Sequence, residues 1–244
     1  MPMPSLNIDE RRTQSPDVAV SIVVFAIQPP AALVAPGTAD PERPVRLWLP
    51  LVRRLREPYA GAWALPGGPL AWDRSLDQVA GATLLATTGL PARHLEQLYS
   101  FGATGRSATA PRLVTIAYWA LLALDQPLAA DGIDHVAWFP ADALPDLAFD
   151  HRDIVDVALD RLRAKTAYAD IAARFLAPEF TLAELRQVHD AVLGTTSDPA
   201  NFRRRLLASG QVEPTGSLRR EGAHRPARLF QFTPGPHPRE QDPA

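Results

Sequence analysis

Cysteine is absent from the 244 residues, and lysine nearly so: Lys165 stands alone against 24 arginines. Without cysteine there are no disulfides, no thiolate metal sites and no cysteine nucleophile. The absence agrees with a reducing, cytoplasmic setting. The skew toward arginine, with abundant alanine and proline, suggests a base-composition bias, so arginine content alone says little about function. Long apolar runs are missing too, and no stretch of eighteen apolar residues is present to span a membrane. The opening MPMPSLNIDERRTQSPD carries acids and lacks an apolar centre, which is not the pattern of a secretory signal. Residues 1–16 are expected to form a disordered leader, and 234–244 a disordered tail.

What is present suits a soluble globular protein: 46% hydrophobic, 21% charged and 7% aromatic residues, in a length that allows one large domain or two modest ones. Charge is unevenly spread. Residues 1–150 hold 11 arginines against 15 acids, a net of −4, whereas 151–244 carry 14 basic and 12 acidic residues, a net of +2. Within 198–232, seven arginines stand against three acids. An acidic module followed by a basic one points to an anionic partner for the C-terminal part.

Periodicity changes near residue 150. DVAVSIVVFAI (17–27) has the length and β-branched composition of a buried strand. The proline-rich stretch 28–44 is expected to be a long loop, after which VRLWLPLVRR (45–54) returns as a strand and completes an extended hairpin. A short strand ends at Gly67-Gly68, and Ser75-x-x-Gln78 is a capping box opening a helix that Gly89 closes. Further strands fall within 95–103, 111–124 and 135–145. From Asp150 the pattern is helical, with Ile154, Val157, Ala158 and Leu162 on one face and a break near Tyr168. Thr181 and Glu184 form a second capping box for a helix to Leu193, and Asp198-Pro199 starts another that runs to Ser209. GSLRREGAHRPARLFQF (216–232) reads as a hairpin with a basic tip.

Residues 65–90, LPGGPLAWDRSLDQVAGATLLATTGL, resemble the Nudix box of hydrolases that cleave nucleoside diphosphates linked to another moiety. Spacing is kept: Gly68, Leu84, Gly89 and Leu90 occupy the glycine and apolar positions of that pattern. The chemistry is not. Arg74 stands where the first glutamate belongs, Ala82 where the arginine belongs, and Thr83, Ala86 and Thr87 where the helix glutamates belong. Those glutamates hold divalent cations that neutralise the pyrophosphate and activate water. Asp73 and Asp77, at the start of the helix, could rescue one ligand at most, and they equally suit the positive helix end. The likeness therefore implies the scaffold without the reaction, and no catalytic residue, metal ligand or cofactor is expected.

Two helices and a hairpin follow in the order of a winged helix-turn-helix. In the second helix, Phe202, Leu206 and Leu207 suit an apolar stripe against the first, leaving Asn201, Arg203, Arg204 and Arg205 outward. Arginine can bridge guanine edges, asparagine adenine edges, and both reach phosphates. Arg219, Arg220, Arg225 and Arg228 on the hairpin suit a wing that follows the backbone. Consecutive arginines lie about 100° apart on a helix, so the triplet cannot meet one base edge together.

LPGG…TTGL, YSFGATGR, FDHRDIV and FTLAEL…NFRRRLLASG…EPTG together resemble the NrtR family, Nudix-related transcriptional regulators of NAD metabolism. The resemblance implies an α/β fold: a Nudix-like α/β/α sandwich with a mixed sheet over 17–148, a helical connector over 149–177 and a winged helix-turn-helix over 178–233. It also implies a homodimeric repressor that binds palindromic double-stranded DNA near genes of NAD synthesis or salvage. The Nudix-like part would sense ADP-ribose or a related nucleotide. Tyr59, Trp63, Phe101, Arg106 and Arg112 are the candidates for its pocket, offering stacking and phosphate charge; each equally suits a structural place, Trp63 and Phe101 suit a core better than a ligand contact, and Arg106 suits a loop. His151, beside Asp150 and Asp153, suits a hinge or interface better than a metal site. The alternative is an active ADP-ribose pyrophosphatase with relocated carboxylates.

Overall fold

A computed structural model of the chain describes residues 16–29, 33–38, 45–104, 106, 112–123, 135–166, 170–220 and 226–233. The expected leader (residue 16 apart), the expected tail from 234, Tyr168 and Arg225 lie outside the described residues.

The first strand, β1 (Asp17–Ile27), organises the sheet. Its alternate residues are buried on both faces: Val20, Ile22, Val24 and Ala26 point one way, Val23 and Phe25 the other. A β-branched run of this kind is stable only at the centre of a covered sheet. Along one edge β1 pairs in parallel with β6 (Leu113–Leu121), from Asp17 opposite Leu113 to Phe25 opposite Leu121. Its other edge takes β2 (Leu47–Arg53) at Ala26–Ile27 and β4 (Gly67–Pro69) at Ala19–Ser21, both antiparallel. The short β3 (Trp63–Ala64) and β7 (Val136–Pro140) flank β2, and β5 (His94–Phe101) closes the far edge on β6. The sheet is therefore seven-stranded and mixed. Gly67 permits the close β1–β4 approach, because a Cβ there would lie 2.5 Å from the Val20 carbonyl oxygen.

One face of the sheet is covered by α1 (Leu76–Thr88), through Val79, Ala80 and Leu84. Its ends follow the sequence signals: Ser75 and Gln78 exchange bonds as a capping box, and Gly89 closes the helix at φ 71°. The other face is covered by α2 (His151–Thr166), which buries Ile154, Val155, Ala158, Leu159 and Leu162. Val157, expected on that face, is 39% exposed. Three residues advance a helix by about 300°, which leaves Val157 at the margin of the stripe begun by Ile154, while Val155 and Leu159 fill it.

The short α3 (Asp170–Ala173), α4 (Leu182–Leu193) and α5 (Pro199–Ala208) follow, then the hairpin β8 (Val212–Arg219) and β9 (Ala227–Phe232). Thr181 and Glu184 cap α4 reciprocally, and Asp198 caps α5 with Pro199 in its first turn. Phe202 and Leu206 of α5 are buried, but Leu207 is 40% exposed. It sits about 140° around the helix from Phe202, off the packed stripe. One pairing had no forecast: Phe180 exchanges backbone bonds with Phe230 in both directions, at 3.0 and 2.8 Å, adding a third short element to the wing sheet. A single apolar cluster runs from Val23 and Phe25 through Ile154 and Leu162 to Leu185, Phe202 and Phe230, so α2 welds the sheet to the winged helix. No helix among the described residues is long and apolar enough to cross a membrane.

Candidate functional site

A cavity of about 890 Å³ opens between β1, β4 and the start of α2. Its polar wall is built at one junction, Phe149-Asp150-His151. The Asp150 carboxylate takes two N–H groups of Arg106, with Nη2 at 2.8 Å from Oδ1, and the remaining guanidinium nitrogen donates to the Phe101 carbonyl. His151 is buried, and its Nδ1 accepts the Leu65 N–H at 3.0 Å. Burial pushes this imidazole from 6.5 to about 4; Asp150 opposes the shift, and Arg106 and Arg54 add to it. The ring is thus a neutral acceptor at ordinary pH. Phe149 holds a left-handed backbone, φ 56°, a conformation that costs a bulky residue about 1 kcal/mol. It is kept there by the Arg54 guanidinium 4.7 Å above its ring and by the edge of Tyr59 at 4.8 Å. Trp72 stands fully exposed at the rim, next to Arg74.

Of the five residues expected to form a nucleotide pocket, only Arg106 lines this cavity. Tyr59 braces Phe149 from behind. Trp63 packs its ring on Phe139 at 5.0 Å against the main core. Phe101 contributes its carbonyl to Arg106 and turns its ring against Tyr99. Arg112 is exposed, its carbonyl bonded to the Asp17 N–H, one residue from the lining Leu113. The placement has a physical cause: aromatics of a half-buried sheet are drawn to the core, and the wall of this cavity comes from loop ends whose meeting no local pattern encodes. Arg54, Trp72 and Phe149 also line the cavity and were not among the expected residues. FDHRD, singled out for His151, was the one available signal.

Beside the cavity a groove of about 590 Å³ runs along α1, where Thr83, Ala86 and Thr87 stand in the acidic positions of the Nudix pattern. The Thr87 hydroxyl donates to the Thr83 carbonyl at 2.8 Å. Asp77 is also engaged: the Tyr118 hydroxyl donates to it at 2.6 Å, and burial together with this bond pushes the phenol pKa up. A divalent cation needs a cluster of carboxylate oxygens. Among the described residues no group of three His, Asp or Glu side chains is placed to hold one, and the groove is faced by arginines instead. The residues present do not fit the metal that the Nudix scaffold ordinarily carries.

The second candidate site is the outer face of α5. Asn201, Arg203, Arg204 and Arg205 are all exposed, with Arg204 Nη2 donating to Asn201 Oδ1 at 2.8 Å. The turn before α5 is fixed by Asp190, which accepts from the Ser197 N–H at 3.1 Å and the Ser197 hydroxyl at 2.5 Å, and holds Arg186 at 2.9 Å. On the wing, Arg220 and Arg228 are exposed. Arg219 is tied to the Glu184 carboxylate at 2.6 Å and the Glu179 carbonyl at 3.1 Å, which docks the wing on α4.

Comparison with known proteins bears on both sites. Residues 172–232 match the NrtR DNA-binding winged helix domain. The ADPR responsive transcriptional repressor NtrR of Acinetobacter baylyi is 37% identical over 196 residues, 77% of this chain and 76% of that one. Shewanella oneidensis NrtR, solved in complex with a 27mer DNA, superposes with a TM-score of 0.72 at 31% identity, covering 88% of this chain and 93% of that one. A MutT/nudix family protein from Enterococcus faecalis superposes at 0.70, with 23% identity, 91% of this chain and 90% of that one, and shows the fold alone.

Proposed function

This chain belongs to the NrtR family, and from that premise we propose that it is a DNA-binding transcriptional repressor whose Nudix-like part senses ADP-ribose or a closely related nucleotide. The observation that carries the reading is the capped helix α5, set by the Asp190-locked turn with four polar side chains facing outward, inside a segment matched to a DNA-binding winged helix. A homodimer would present two such helices about one DNA turn apart to a palindrome. Genes of NAD synthesis or salvage are the proposed targets. Asn201, Arg203, Arg204 and Arg205 are the proposed base and phosphate contacts, with Arg220 and Arg228 on the wing backbone.

Arg106 is the proposed charged contact for the nucleotide, within the cavity described above. No hydrolysis is assigned: the carboxylates that could replace the missing acids are Asp73 and Asp77, and Asp77 is already bonded to Tyr118. The alternative, an ADP-ribose pyrophosphatase, predicts AMP release with Mg²⁺ that disappears in Asp73→Asn/Asp77→Asn.

Fluorescence anisotropy with duplexes covering promoter regions of the source genome tests the main reading. Binding should weaken steeply with added salt, as phosphate neutralisation releases counterions. Changing Arg203, Arg204 and Arg205 together to Ala should reduce affinity by about a hundredfold or more. Wild-type affinity in the triple variant would remove α5 from the interface, and no duplex bound even at low salt would end the repressor reading.

A further inference from the structure

The groove along α1 has lost every acid of the Nudix pattern and faces arginine on its opposite wall. Thr83, Ala86 and Thr87 lie on one side; Arg53, Arg54 and Arg56, from the end of β2 and the loop after it, lie on the other. Among the described residues no carboxylate lines it. Arg53 and Arg56 are exposed, and among the described residues neither takes part in an ion pair. Arg54 is pre-set: its Nε donates to the Pro58 carbonyl at 2.8 Å, and its guanidinium lies over the Phe149 ring. Arg54, Leu65 and Gly67 line both this groove and the larger cavity, so the two spaces adjoin and one elongated ligand can occupy both.

In a metal-using Nudix site, acids attract divalent cations and the cations attract the diphosphate. Here the protein charge itself has the opposite sign. Guanidinium binds phosphate oxygens in a bidentate fork and needs no cation between them, whereas a divalent ion placed among three arginines is repelled. Short side chains at 83, 86 and 87 leave the space that glutamates and their ions would fill. We infer that this groove binds the diphosphate of a nucleotide directly, with Arg53, Arg54 and Arg56 in place of a divalent metal. The inference rests on the reading above that the Nudix-like part takes a nucleotide effector, and it adds that binding is independent of Mg²⁺.

Calorimetric titration of the full chain with ADP-ribose, in EDTA and in Mg²⁺, tests it. The Kd in EDTA should equal that in Mg²⁺ within about twofold, and Arg53→Ala/Arg56→Ala should weaken it by about tenfold or more, since charged hydrogen bonds are lost. Both side chains are exposed, and circular dichroism melting should match the parent. Ala86→Glu, which returns one acid to the groove, should weaken binding in EDTA and recover it in part with Mg²⁺. Binding that requires Mg²⁺, or that survives the double variant, would overturn the inference and leave the effector reading standing. If ADP-ribose fails to bind in either buffer the effector reading falls, and inorganic pyrophosphate in EDTA then decides the groove. Pyrophosphate bound by the parent but not by the double variant supports it, and absence of binding overturns both.

Discussion

His151 joins the sheet to the connector as a neutral base. Its Nδ1 needs a free lone pair to accept the Leu65 N–H, so protonating that nitrogen breaks the bond. With a pKa near 4 in the fold against 6.5 in the open chain, the folded state binds fewer protons between these values. Stability therefore rises with pH across that window: the contribution is complete above about pH 6.5 and is lost as pH falls toward 4. At 1.36 kcal/mol per unit, the His151 share is on the order of 3 kcal/mol. His94 and His189 are lowered by burial as well and add slope in the same direction. His151→Asn, whose amide oxygen can accept near the place of Nδ1, should remove the largest of the three contributions. Urea midpoints between pH 7 and 4 read this directly, and a variant slope equal to the parent's would show that His151 does not set it.

At the level of elements, the turn between α4 and α5 depends on one carboxylate. Asp190 accepts two bonds from Ser197 and balances Arg186, while its own carbonyl receives the Gly194 and Thr195 N–H groups. Asp190→Ala leaves Arg186 without its carboxylate partner, with only the Ser197 carbonyl at 3.2 Å, and the turn without its anchor, a loss of about 1–3 kcal/mol. Hydrogen exchange should quicken across 194–200 and operator affinity should drop, with exchange across α2 unchanged; uniform quickening would mean global destabilisation instead. The helix ends here were legible because their signals are local: Ser75 with Gln78, Thr181 with Glu184, and Asp198 before Pro199 each bond within three residues. The substituted Nudix positions were legible for the same reason, since spacing along one helix fixes which side chains share a face. The cavity wall was not. Arg106 meets Asp150 across 44 residues, and Leu65 meets His151 across 86, so nothing short in the chain announces either pair. The Phe180–Phe230 pairing is hidden likewise, because an isolated bridge has no strand-length pattern.

Across the whole molecule, α2 is the shared part. Its first residue, His151, and the two residues before it form the polar wall of the cavity; Arg161 and Lys165 reach Glu96 of β5 at 3.1 and 2.5 Å, and Arg163 reaches the Val192 carbonyl of α4 at 3.4 Å. With one apolar cluster running through it, the connector cannot shift at the cavity without straining its contact with α4 and α5, the helices proposed to meet DNA. An anionic ligand in the cavity competes with Asp150 for Arg106, a pair whose side chains are only 7% and 19% exposed, and so acts on the start of α2. Such coupling is a free energy shared by the two sites, so the factor by which ADP-ribose alters operator affinity must equal the factor by which operator alters ADP-ribose affinity, commonly about 5–150-fold. Calorimetry of nucleotide binding with and without operator, set beside anisotropy of operator with and without nucleotide, gives both factors. Asp150→Asn weakens its hold on Arg106 while keeping the shape of the side chain, and it should shrink both factors together by about threefold or more. A variant that binds nucleotide and operator but keeps the parental factors would place the transmission elsewhere than Asp150. Parental factors of one, with neither ligand altering the affinity of the other, would mean that cavity and operator site are not coupled.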